Sequence, residues 1–412
     1  MDVVIKGFKP RGIVNVPCSK SEAHRVLIMA FLLKRKFTIK NISYSDDINA
    51  TIEAIEAMGA KVAKNKDSLT IMDYDRCPNK LSIDVKQSAS TLRFLLPVAC
   101  YLAEEVVFKG DPSLFQRPIG VYQETFANEL EFQLEETRLI VKGSLESSVY
   151  KVNTNVSSQF VTGLMFLMVL NKGIKQIELV GDRVSKNYID ITKKVMKDFG
   201  VVTKEEQAII KLEFKECEID SYTLEGDYSQ AANYLVLGAI NGNISVKNLC
   251  NNSLQGDKVV LWLLEKMGAI VSFENGECRV GGKVEIPYIE IDLKNCIDLG
   301  PILFVCAAFN KGTTKFINTQ RLKIKESNRV AAMESNLIIA GVDIVVTENT
   351  VVINGNPNRS GDFVFETFKD HRIAMAMSVF SVLNNGTSII KDVECINKSY
   401  PNFVNDLFSL KI

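Results

Sequence analysis

The sequence predicts an α/β (α+β) protein built from a repeated unit of about seventy residues. At four places an apolar-periodic helix ends at a glycine and a β-rich segment follows, and these glycines are Gly59, Gly200, Gly268 and Gly341. They lie 141, 68 and 73 residues apart. Glycine just past a helix adopts the left-handed conformation that closes the last turn. Recurrence at a fixed spacing is typical of repeated supersecondary units.

The interval of 141 residues holds a degenerate copy of the pattern near residues 127–130, and the chain ends 71 residues after Gly341. Six units are therefore predicted. The segments Ser158–Leu170 and 298–309 are apolar on nearly every side, which predicts buried helices. The competing interpretation is that the four glycines coincide by chance, because glycine is a common helix C-cap.

Composition and charge exclude several classes of protein. The 412 residues suffice for two or three domains. Lysine plus arginine and aspartate plus glutamate each number 49, so the chain lacks the basic excess of a general nucleic-acid or membrane-surface binder. It shows no signal-peptide pattern, its nine cysteines form no C-x-x-C pair, and it has only two histidines. We expect a cytoplasmic protein with no membrane span and no metal site.

One stretch near the start has the composition of an anion-binding turn. Residues 17–25 read P-C-S-K-S-E-A-H-R, between an apolar strand and an apolar helix. Backbone N–H groups at a helix N-terminus attract anions, and the side chains of Lys20, Ser21 and Arg25 add charge and hydroxyl donors. The competing interpretation is a serine N-cap beside a solvated lysine and arginine.

Similar stretches, with small or hydroxylated residues beside a cation, recur at predicted helix starts. They are S-A-S-T-L-R at 88–93, Q-R-P-I at 116–119, S-S-Q at 157–159, S-K-N-Y at 185–188, G-D-Y-S at 226–229, K-I-K-E-S-N-R at 323–329, D-H-R at 370–372 and N-K-S-Y-P at 397–401. In the second of these, the proline is predicted to start a helix. Because like charges repel, so many cations at helix starts indicate a small polyanionic ligand.

Taken in order, these motifs resemble the 5-enolpyruvylshikimate-3-phosphate synthase (EPSP synthase) family, a group of enolpyruvyl transferases. The resemblance runs from about residue 7 to the C-terminus. It rests on S-K-S-x-x-x-R, S-D-D, S-x-S-T-L-R, R-P-I, S-S-Q-F, S-K-x-Y-I-D-I-T, E-G-D-x-S, Q-G-D, K-E-S-x-R, D-H-R-x-A-M and K-S-Y-P-x-F.

The resemblance implies a fold of two similar lobes, each of three βαβαββ units with buried helices, known as an inside-out α/β barrel. It implies that residues 19–225 form one lobe, that residues 1–18 and 226–412 form the other, and that the active site lies in the cleft between them. The implied enzyme is a transferase that moves the enolpyruvyl group of phosphoenolpyruvate onto the 5-hydroxyl of shikimate 3-phosphate and releases phosphate. This is a step of the shikimate pathway to chorismate and the aromatic amino acids. No cofactor is implied, and we expect a monomer whose partners are these two substrates.

The resemblance also implies a role for each matching residue. The residues implied to hold phosphoenolpyruvate are Lys20, Ala89, Arg117, Gln159, Arg329, Arg372 and Lys398. Those implied to hold shikimate 3-phosphate are Lys20, Ser21, Arg25, Ser157, Ser158, Gln159, Ser185, Tyr188, Asp298 and Lys325.

Three residues are implied to be catalytic. Asp298 matches the aspartate that takes the 5-hydroxyl proton, and Glu326 and Lys20 match groups that act in proton transfer at the enol carbon. Two structural interpretations compete: Asp298 could cap a helix that begins at Leu299, and Glu326 could pair with Arg329 on one helix face. We expect a structural role for His24 and a supporting role for His371.

Four positions depart from the family pattern. Ala89 and Cys18 replace usual glycines, Gln87 replaces an asparagine, and Asn328 replaces an aspartate beside Arg329. The glycine matched by Ala89 lets the backbone approach phosphoenolpyruvate, and the inhibitor glyphosate fills the same space. We hypothesise that the Ala89 methyl narrows this pocket and reduces sensitivity to glyphosate.

Two other functions compete with this one. The sister enzyme that transfers enolpyruvyl to UDP-N-acetylglucosamine has the same fold and donor, but its opening turn contains K-N, and this chain has no cysteine in a suitable loop after Arg117. A non-catalytic anion-binding relative would bind both ligands without turnover. Binding alone would not require Asp298, Lys325, Glu326 and Lys398 together.

Overall fold

The computed structural model describes residues 1–182, 186–274 and 276–411. The chain divides into two compact units, each with its own apolar core. We call residues Cys18–Leu224 lobe I, and Met1–Pro17 together with Glu225–Ile412 lobe II. The chain therefore passes from one lobe to the other twice.

Strands and helices alternate along most of the chain. The strands are β1 (Val3–Lys6), β2 (Arg11–Asn15), β3 (Phe37–Lys40), β4 (Ala60–Lys64), β5 (Ser68–Tyr74), β6 (Lys80–Lys86), β7 (Glu105–Gly110), β8 (Leu130–Leu134), β9 (Arg138–Gly143), β10 (Val149–Asn153), β11 (Gln176–Val180), β12 (Val201–Glu206), β13 (Ile209–Phe214), β14 (Ser221–Thr223), β15 (Asn243–Lys247), β16 (Ala269–Glu274), β17 (Glu277–Gly282), β18 (Tyr288–Asp292), β19 (Thr313–Ile317), β20 (Asp343–Val346), β21 (Thr350–Asn354), β22 (Phe363–Phe365) and β23 (Thr387–Ile390).

The helices are α1 (Lys20–Leu32), α2 (Asp46–Ala57), α3 (Ala89–Leu102), α4 (Pro112–Phe115), α5 (Gly120–Thr125), α6 (Ser158–Leu170), α7 (Lys186–Asp198), α8 (Tyr228–Asn241), α9 (Val259–Lys266), α10 (Gly300–Phe309), α11 (Arg329–Ile339), α12 (His371–Leu383) and α13 (Phe403–Phe408). Short 3₁₀ turns cover Gly256–Lys258, Ile297–Leu299, Gln320–Ile324 and Val393–Lys398. None of the helices in the described ranges is long and apolar enough to cross a membrane.

The predicted repeat corresponds to one small mixed sheet per unit. Lobe I holds sheets of strand order β14-β3-β5-β4, β6-β7-β9-β8 and β10-β11-β13-β12. Lobe II holds β16-β17-β15-β2 and β18-β19-β21-β20 in the same arrangement. In each of these five sheets a parallel pair of strands extends into an antiparallel hairpin.

The sixth unit differs from the predicted repeat because its sheet has three strands, in the order β1-β23-β22. Strand β22 pairs in parallel with β23, and the N-terminal β1 supplies the antiparallel neighbour that a hairpin supplies elsewhere. After β23 the chain forms a 3₁₀ turn and α13.

The four glycines that indicated the repeat have the predicted conformation. Gly59 and Gly268 have φ of 103°, Gly200 of 80° and Gly341 of 70°, all in the left-handed region. At the degenerate copy the six-residue α5 ends at Thr125, and β8 begins at Leu130 without an intervening glycine.

Three helices in each lobe are buried on nearly every side, namely α1, α3 and α6 in lobe I and α8, α10 and α12 in lobe II. The predicted buried helix Ser158–Leu170 has the predicted bounds. The second begins at Gly300, after the 3₁₀ turn Ile297–Leu299, rather than at residue 298. The buried helices pack against one another within each lobe, and several of the predicted site residues lie at their N-terminal ends.

Candidate functional site

The opening turn of lobe I is a capped helix start whose cations are held by the fold. Ser19 Oγ accepts a hydrogen bond from the backbone N–H of Glu22 at 3.4 Å, as a serine N-cap should. Lys20 is not solvated as the competing interpretation required: its Nζ lies 2.7 Å from Asp47 Oδ2 on α2, and its side chain is 19% exposed. The pair fixes the ammonium group at the shared end of α1 and α2.

Arg25 lies beneath this turn, only 2% exposed. Its Nε donates to Thr192 Oγ1 at 2.7 Å, Nη2 donates to the carbonyl of Tyr188 at 3.0 Å, and Nη1 donates to the carbonyl of Ser21. Burial lowers the pKa of Arg25 to about 10, so the guanidinium stays charged at neutral pH. Arg25 therefore brings the start of α7 against the start of α1, and Tyr188 near Ser21.

A second group of contacts joins the N-terminal ends of α3 and α6. Gln159 donates from Nε2 to Ser90 Oγ at 3.0 Å and accepts at Oε1 from Arg93 Nη1 at 2.8 Å. Arg93 also donates from Nη2 to the carbonyl of Pro118 at 3.0 Å, next to the half-buried Arg117. Ser157 caps α6 by accepting from the backbone N–H of Gln159, and Ser158 is buried behind it.

Two expectations in this lobe need correction or extension. Helix α5 begins at Gly120, so the residue predicted to start it, Pro118, lies in the preceding turn. Arg93 was missing from the predicted site residues although it lies in S-x-S-T-L-R, because a motif does not reveal which of its cations contacts which partner. Ser185 lies outside the described residues.

Ala89, the first residue of α3, is partly exposed and follows the N-cap Ser88, whose Oγ accepts from the backbone N–H of Thr91 at 3.2 Å. Cys18 makes two contacts with Ser43: its N–H donates to Ser43 Oγ, and its Sγ accepts from the Ser43 N–H, both at 3.2 Å. The cysteine thus closes a turn that the family's glycine would leave without this side-chain contact.

In lobe II, Arg329 lies at the centre of three carboxylates and is 1% exposed. Its Nε contacts Asp370 Oδ2 at 2.8 Å, Nη1 contacts Asp298 Oδ1 at 2.9 Å, and Nη2 contacts Glu326 Oε2 at 2.8 Å. We call these four residues the Arg329 cluster. Burial lowers the pKa of the guanidinium, but the charges of Asp370, Glu326 and Asp298 raise it above its usual value overall.

Two further cations approach Asp298, the residue predicted to act as the base. Lys325 Nζ lies 3.2 Å from Oδ1, and Arg372 Nη2 lies 3.9 Å from Oδ2. Burial raises the pKa of Asp298, but the charges of Lys325, Arg372 and Arg329 outweigh it and hold the pKa well below the usual range. Asp298 does not cap a helix: the N-cap of α10 is Leu299, without a side-chain hydrogen bond.

The other expected residues of this lobe lie at the ends of neighbouring elements. Lys398 is buried at the end of the 3₁₀ turn Val393–Lys398, which packs against α12. His371 is buried, with Nδ1 3.7 Å from Asp370 Oδ1. Asn328 caps α11 by accepting from the backbone N–H of Ala331, so the substitution for aspartate keeps a capping side chain. Arg329 has three acidic neighbours even without an aspartate at that position.

Asp257, which was not among the predicted site residues, lies beside this group. It accepts a hydrogen bond from Ser229 Oγ, and the carbonyl of Ser229 accepts from Arg372 Nη1 at 3.3 Å. Burial, followed by the charge of Asp298, raises the pKa of Asp257 to about 7. The sequence feature that could have indicated Asp257 is the Q-G-D motif at residues 255–257, to which no role was assigned.

The two lobes therefore offer different chemistry. Lobe I presents hydroxyl, amide and cationic donors at helix N-termini, which suit phosphate and carboxylate groups. Lobe II presents an ionised carboxylate beside a lysine and an arginine, which suits removal of a proton next to an anion. Among residues 1–182, 186–274 and 276–411, no three His, Cys, Asp or Glu side chains are grouped as metal ligands.

Comparison with known proteins gives one consistent result. Residues 6–407 match the family model of EPSP synthase (3-phosphoshikimate 1-carboxyvinyltransferase). The 3-phosphoshikimate 1-carboxyvinyltransferase of Clostridium kluyveri is 38% identical over 99% of this chain and 97% of its own length. That of Clostridium perfringens strain 13 is 39% identical over 99% and 98%.

Solved structures show the same fold. An EPSP synthase from Acinetobacter baumannii superposes with a TM-score of 0.80 and 22% identity, over 100% of this chain and 98% of that one. The enolpyruvyl transferase NikO from Streptomyces tendae gives a TM-score of 0.75 and 14% identity, over 99% and 97%. The fold implied by the motifs, two lobes of mixed α/β units of the enolpyruvyl transferase type, is thereby confirmed. With the family model and the relatives covering nearly its whole length, the chain belongs to the EPSP synthase family.

Proposed function

We propose that this enzyme transfers the enolpyruvyl group of phosphoenolpyruvate to the 5-hydroxyl of shikimate 3-phosphate, giving 5-enolpyruvylshikimate 3-phosphate and phosphate. The observation that carries the proposal is the environment of Asp298, a carboxylate held ionised by Lys325, Arg372 and Arg329. Membership of the family over nearly the whole chain supports the same activity.

Asp298 is the residue we assign to removal of the hydroxyl proton. In the absence of substrate the surrounding cations make it a weak base. Binding of the substrate anions would offset the charges of Lys325 and Arg372, and so would raise the pKa of Asp298 toward a value useful for catalysis. Substrate binding would thus activate the base.

The reaction then forms a bond between the 5-oxygen and C2 of phosphoenolpyruvate while the hydroxyl proton moves to Asp298. A proton supplied by Lys20 or Glu326 reaches C3, which gives a tetrahedral ketal. Loss of phosphate from C2 and of a proton from C3 restores the double bond. Gln159, Arg117, Arg372 and Lys398 are proposed to hold the phosphate and carboxylate of the donor, with their charges fixed before the reaction.

Transfer to UDP-N-acetylglucosamine is not favoured, because the family model and the relatives bear the other activity in their names. Assays with each acceptor substrate, shikimate 3-phosphate or UDP-N-acetylglucosamine, distinguish the two activities when the products are observed by ³¹P NMR. We expect 5-enolpyruvylshikimate 3-phosphate to form from shikimate 3-phosphate, and no product to form from the nucleotide sugar.

The role of Asp298 is tested with Asp298→Asn. We expect both substrates to bind while the transfer rate falls by about 10²- to 10⁴-fold, since the amide keeps the shape but cannot accept the proton. The control is Asp343→Asn, the same change at an exposed carboxylate of lobe II, which should leave the rate unchanged. A near-normal rate in Asp298→Asn would remove Asp298 from the mechanism.

A further inference from the structure

A buried chain of hydrogen bonds that the proposed mechanism does not use runs under the ligand-binding helix ends of lobe I. His24 Nδ1 lies 2.7 Å from Thr51 Oγ1, Thr51 Oγ1 lies 2.7 Å from Thr91 Oγ1, and Thr91 Oγ1 lies 2.7 Å from Ser88 Oγ. We call these four residues the His24 chain. None of them is more than 1% exposed.

The His24 chain joins three helices whose first turns carry predicted site residues. His24 lies on α1, Thr51 on α2 and Thr91 on α3, and Ser88 is the N-cap of α3. The next residue, Ala89, is the position where the family has glycine. Above the chain, α1 and α2 are also joined by the ion pair between Lys20 and Asp47. The chain therefore ties the backbone at Ala89 to the helix that carries Lys20.

The chain has a fixed direction, because each hydroxyl has a single proton. Thr91 donates its proton to Ser88, so the 2.7 Å bond between Thr51 and Thr91 uses the proton of Thr51, for which the carbonyl of Asp47, at 3.5 Å, is a second and more distant acceptor. His24 must then donate from Nδ1 to Thr51 Oγ1. The geometry assigns His24 the tautomer with a proton on Nδ1, as the donor that begins the chain.

We propose that the His24 chain positions the first turn of α3 against Lys20, and that it thereby controls the binding of phosphoenolpyruvate. This rests on the proposed function, in which Ala89 is assigned to that substrate alone, whereas Lys20 and Gln159 are assigned to both substrates. Ser88 Oγ accepts both from the Thr91 backbone and from the Thr91 hydroxyl, so the cap of α3 depends on the chain. Loss of the chain releases the turn that bears Ala89 and Ser90, and Ser90 in turn contacts Gln159.

The residue next to His24 begins a separate chain toward different helices. Arg25 Nε donates to Thr192 Oγ1, which lies 2.9 Å from Thr162 Oγ1 on α6. Thr192 also donates to the carbonyl of Tyr188 at 3.0 Å. This Arg25 chain supports Tyr188 and α6, where the residues assigned to shikimate 3-phosphate lie. The His24 chain, through Ala89, should therefore affect mainly phosphoenolpyruvate, and the Arg25 chain should affect mainly shikimate 3-phosphate.

The first test compares two replacements of Thr91. Thr91→Val keeps the shape and loses the hydroxyl, whereas Thr91→Ser keeps the hydroxyl and loses a methyl group. We expect Thr91→Val to raise KM for phosphoenolpyruvate about fivefold, as loss of one neutral hydrogen bond would. Its KM for shikimate 3-phosphate should stay within about twofold of the parent value. Thr91→Ser should keep both constants, even if its folding stability is lower.

Two controls distinguish positioning from a general loss of stability. Thr38→Val breaks another threonine pair of lobe I, between β3 and β5, with Oγ1 atoms 3.1 Å apart, and should change neither KM. Thr162→Val removes the end of the Arg25 chain and should raise KM for shikimate 3-phosphate instead. Equal changes in both constants for Thr91→Val, or no change, would overturn the proposal. If Thr91→Val does not fold, Thr51→Val interrupts the same chain and carries the same expectation.

The second test observes the tautomer directly and needs no activity. The protein has only two histidines, so ¹⁵N-histidine labelling yields two sets of imidazole signals, and the variant His371→Gln assigns them. We expect His24 in the Nδ1-protonated tautomer with a slowly exchanging proton. In Thr91→Val, Thr51 keeps the Asp47 carbonyl, 3.5 Å away, as an acceptor, so His24 should keep its proton on Nδ1. Thr51→Val removes the acceptor of that proton and should make it exchange faster. A parent protein with Nε2–H, or a Thr51→Val spectrum unchanged at His24, would contradict the proposed chain.

These outcomes separate the two proposals. An enzyme that does not turn over the two substrates but shows the Nδ1 tautomer, with faster exchange of that proton in Thr51→Val, would contradict the proposed function and leave the chain in place. An active enzyme whose KM values do not respond to Thr91→Val would contradict only the positioning role.

Discussion

The guanidinium of Arg329 is surrounded by carboxylates, whereas the motif match assigned it to phosphoenolpyruvate. Its contacts with Asp298, Glu326 and Asp370 occupy all three of its nitrogens, and the side chain is 1% exposed. Removing one partner from a buried ion pair is strongly destabilising, by about 3–5 kcal/mol. The cluster therefore fixes Asp298 before any substrate arrives, and a role in substrate binding for Arg329 stays a prediction.

At Ala89 a single methyl group is expected to set inhibitor sensitivity. Ala89→Gly should lower the glyphosate concentration needed for half-inhibition by about tenfold, because one added methyl group in a pocket has effects of that order. The control is Ala99→Gly, the same change further along α3, where the side chain is buried in the core. Inhibition curves at fixed phosphoenolpyruvate measure the effect. An Ala89→Gly enzyme as resistant as the parent would refute the hypothesis.

Asp257 should make the folded protein less stable as pH rises. Burial and the charge of Asp298 raise its pKa to about 7 in the folded chain, against an ordinary value of 3.8. Between these values the folded protein holds a proton that the unfolded chain has lost, so the free energy of unfolding falls as pH increases through this window. Well above pH 7, Asp257 is ionised in both the folded and the unfolded chain, so its effect on the free energy of unfolding no longer changes with pH.

Asp257→Asn removes this penalty and still accepts the hydrogen bond from Ser229. We expect its stability advantage over the parent to grow from pH 5 to pH 7, by up to about 1.4 kcal/mol per pH unit. Urea unfolding at pH 5, 6, 7 and 8 measures it, with Asp343→Asn as the exposed control. A difference between variant and parent that does not depend on pH would show that Asp257 has no such shift.

At the scale of elements, buried helices place their N-terminal ends where the motifs lie. Helices α3 and α6 approach closely because α6 has a glycine at the contact: a Cβ on Gly163 would collide with the Arg93 carbonyl and the Tyr122 hydroxyl. The Tyr122 hydroxyl donates to that same carbonyl at 2.6 Å. The position of Gln159 relative to Arg93 therefore depends on this contact.

Gly163→Ala should destabilise the protein by about 1–3 kcal/mol, since an added methyl group in a close-packed core forces the backbone apart. Gly120→Ala, at the start of α5, is the matched control, because an added Cβ there meets only the Gln123 side chain at 3.8 Å. Thermal unfolding compares the two. Equal melting temperatures for Gly163→Ala and the parent would mean that α3 and α6 do not pack this closely.

The sequence predicted elements that depend on local rules and missed those that depend on distant contacts. The left-handed glycines after α2, α7, α9 and α11 were predictable because helix C-capping involves only a few neighbouring residues. The pairing of β1 with β23 joins residues almost the full chain length apart, and no local pattern indicates it. The Thr51–Thr91 bond, across forty positions of sequence, was hidden for the same reason.

At the scale of the whole molecule, the order of the motifs carried more information than any single one. Single stretches such as residues 17–25 fit a capped helix as well as an anion site, but their sequence of occurrence identified the family. Net neutrality, with 49 basic and 49 acidic side chains, agrees with cations placed locally rather than spread over the surface. The order of the motifs does not show which charged side chains contact one another, as the surroundings of Asp257 and Arg329 illustrate.

Release of phosphate from phosphoenolpyruvate is the first measurement to make of enolpyruvyl transfer by this enzyme. Phosphate is measured with and without shikimate 3-phosphate, in buffer treated with EDTA. We expect release that requires shikimate 3-phosphate and is unaffected by the chelator. No release from a protein that still binds both ligands would contradict enolpyruvyl transfer and identify a non-catalytic anion-binding protein.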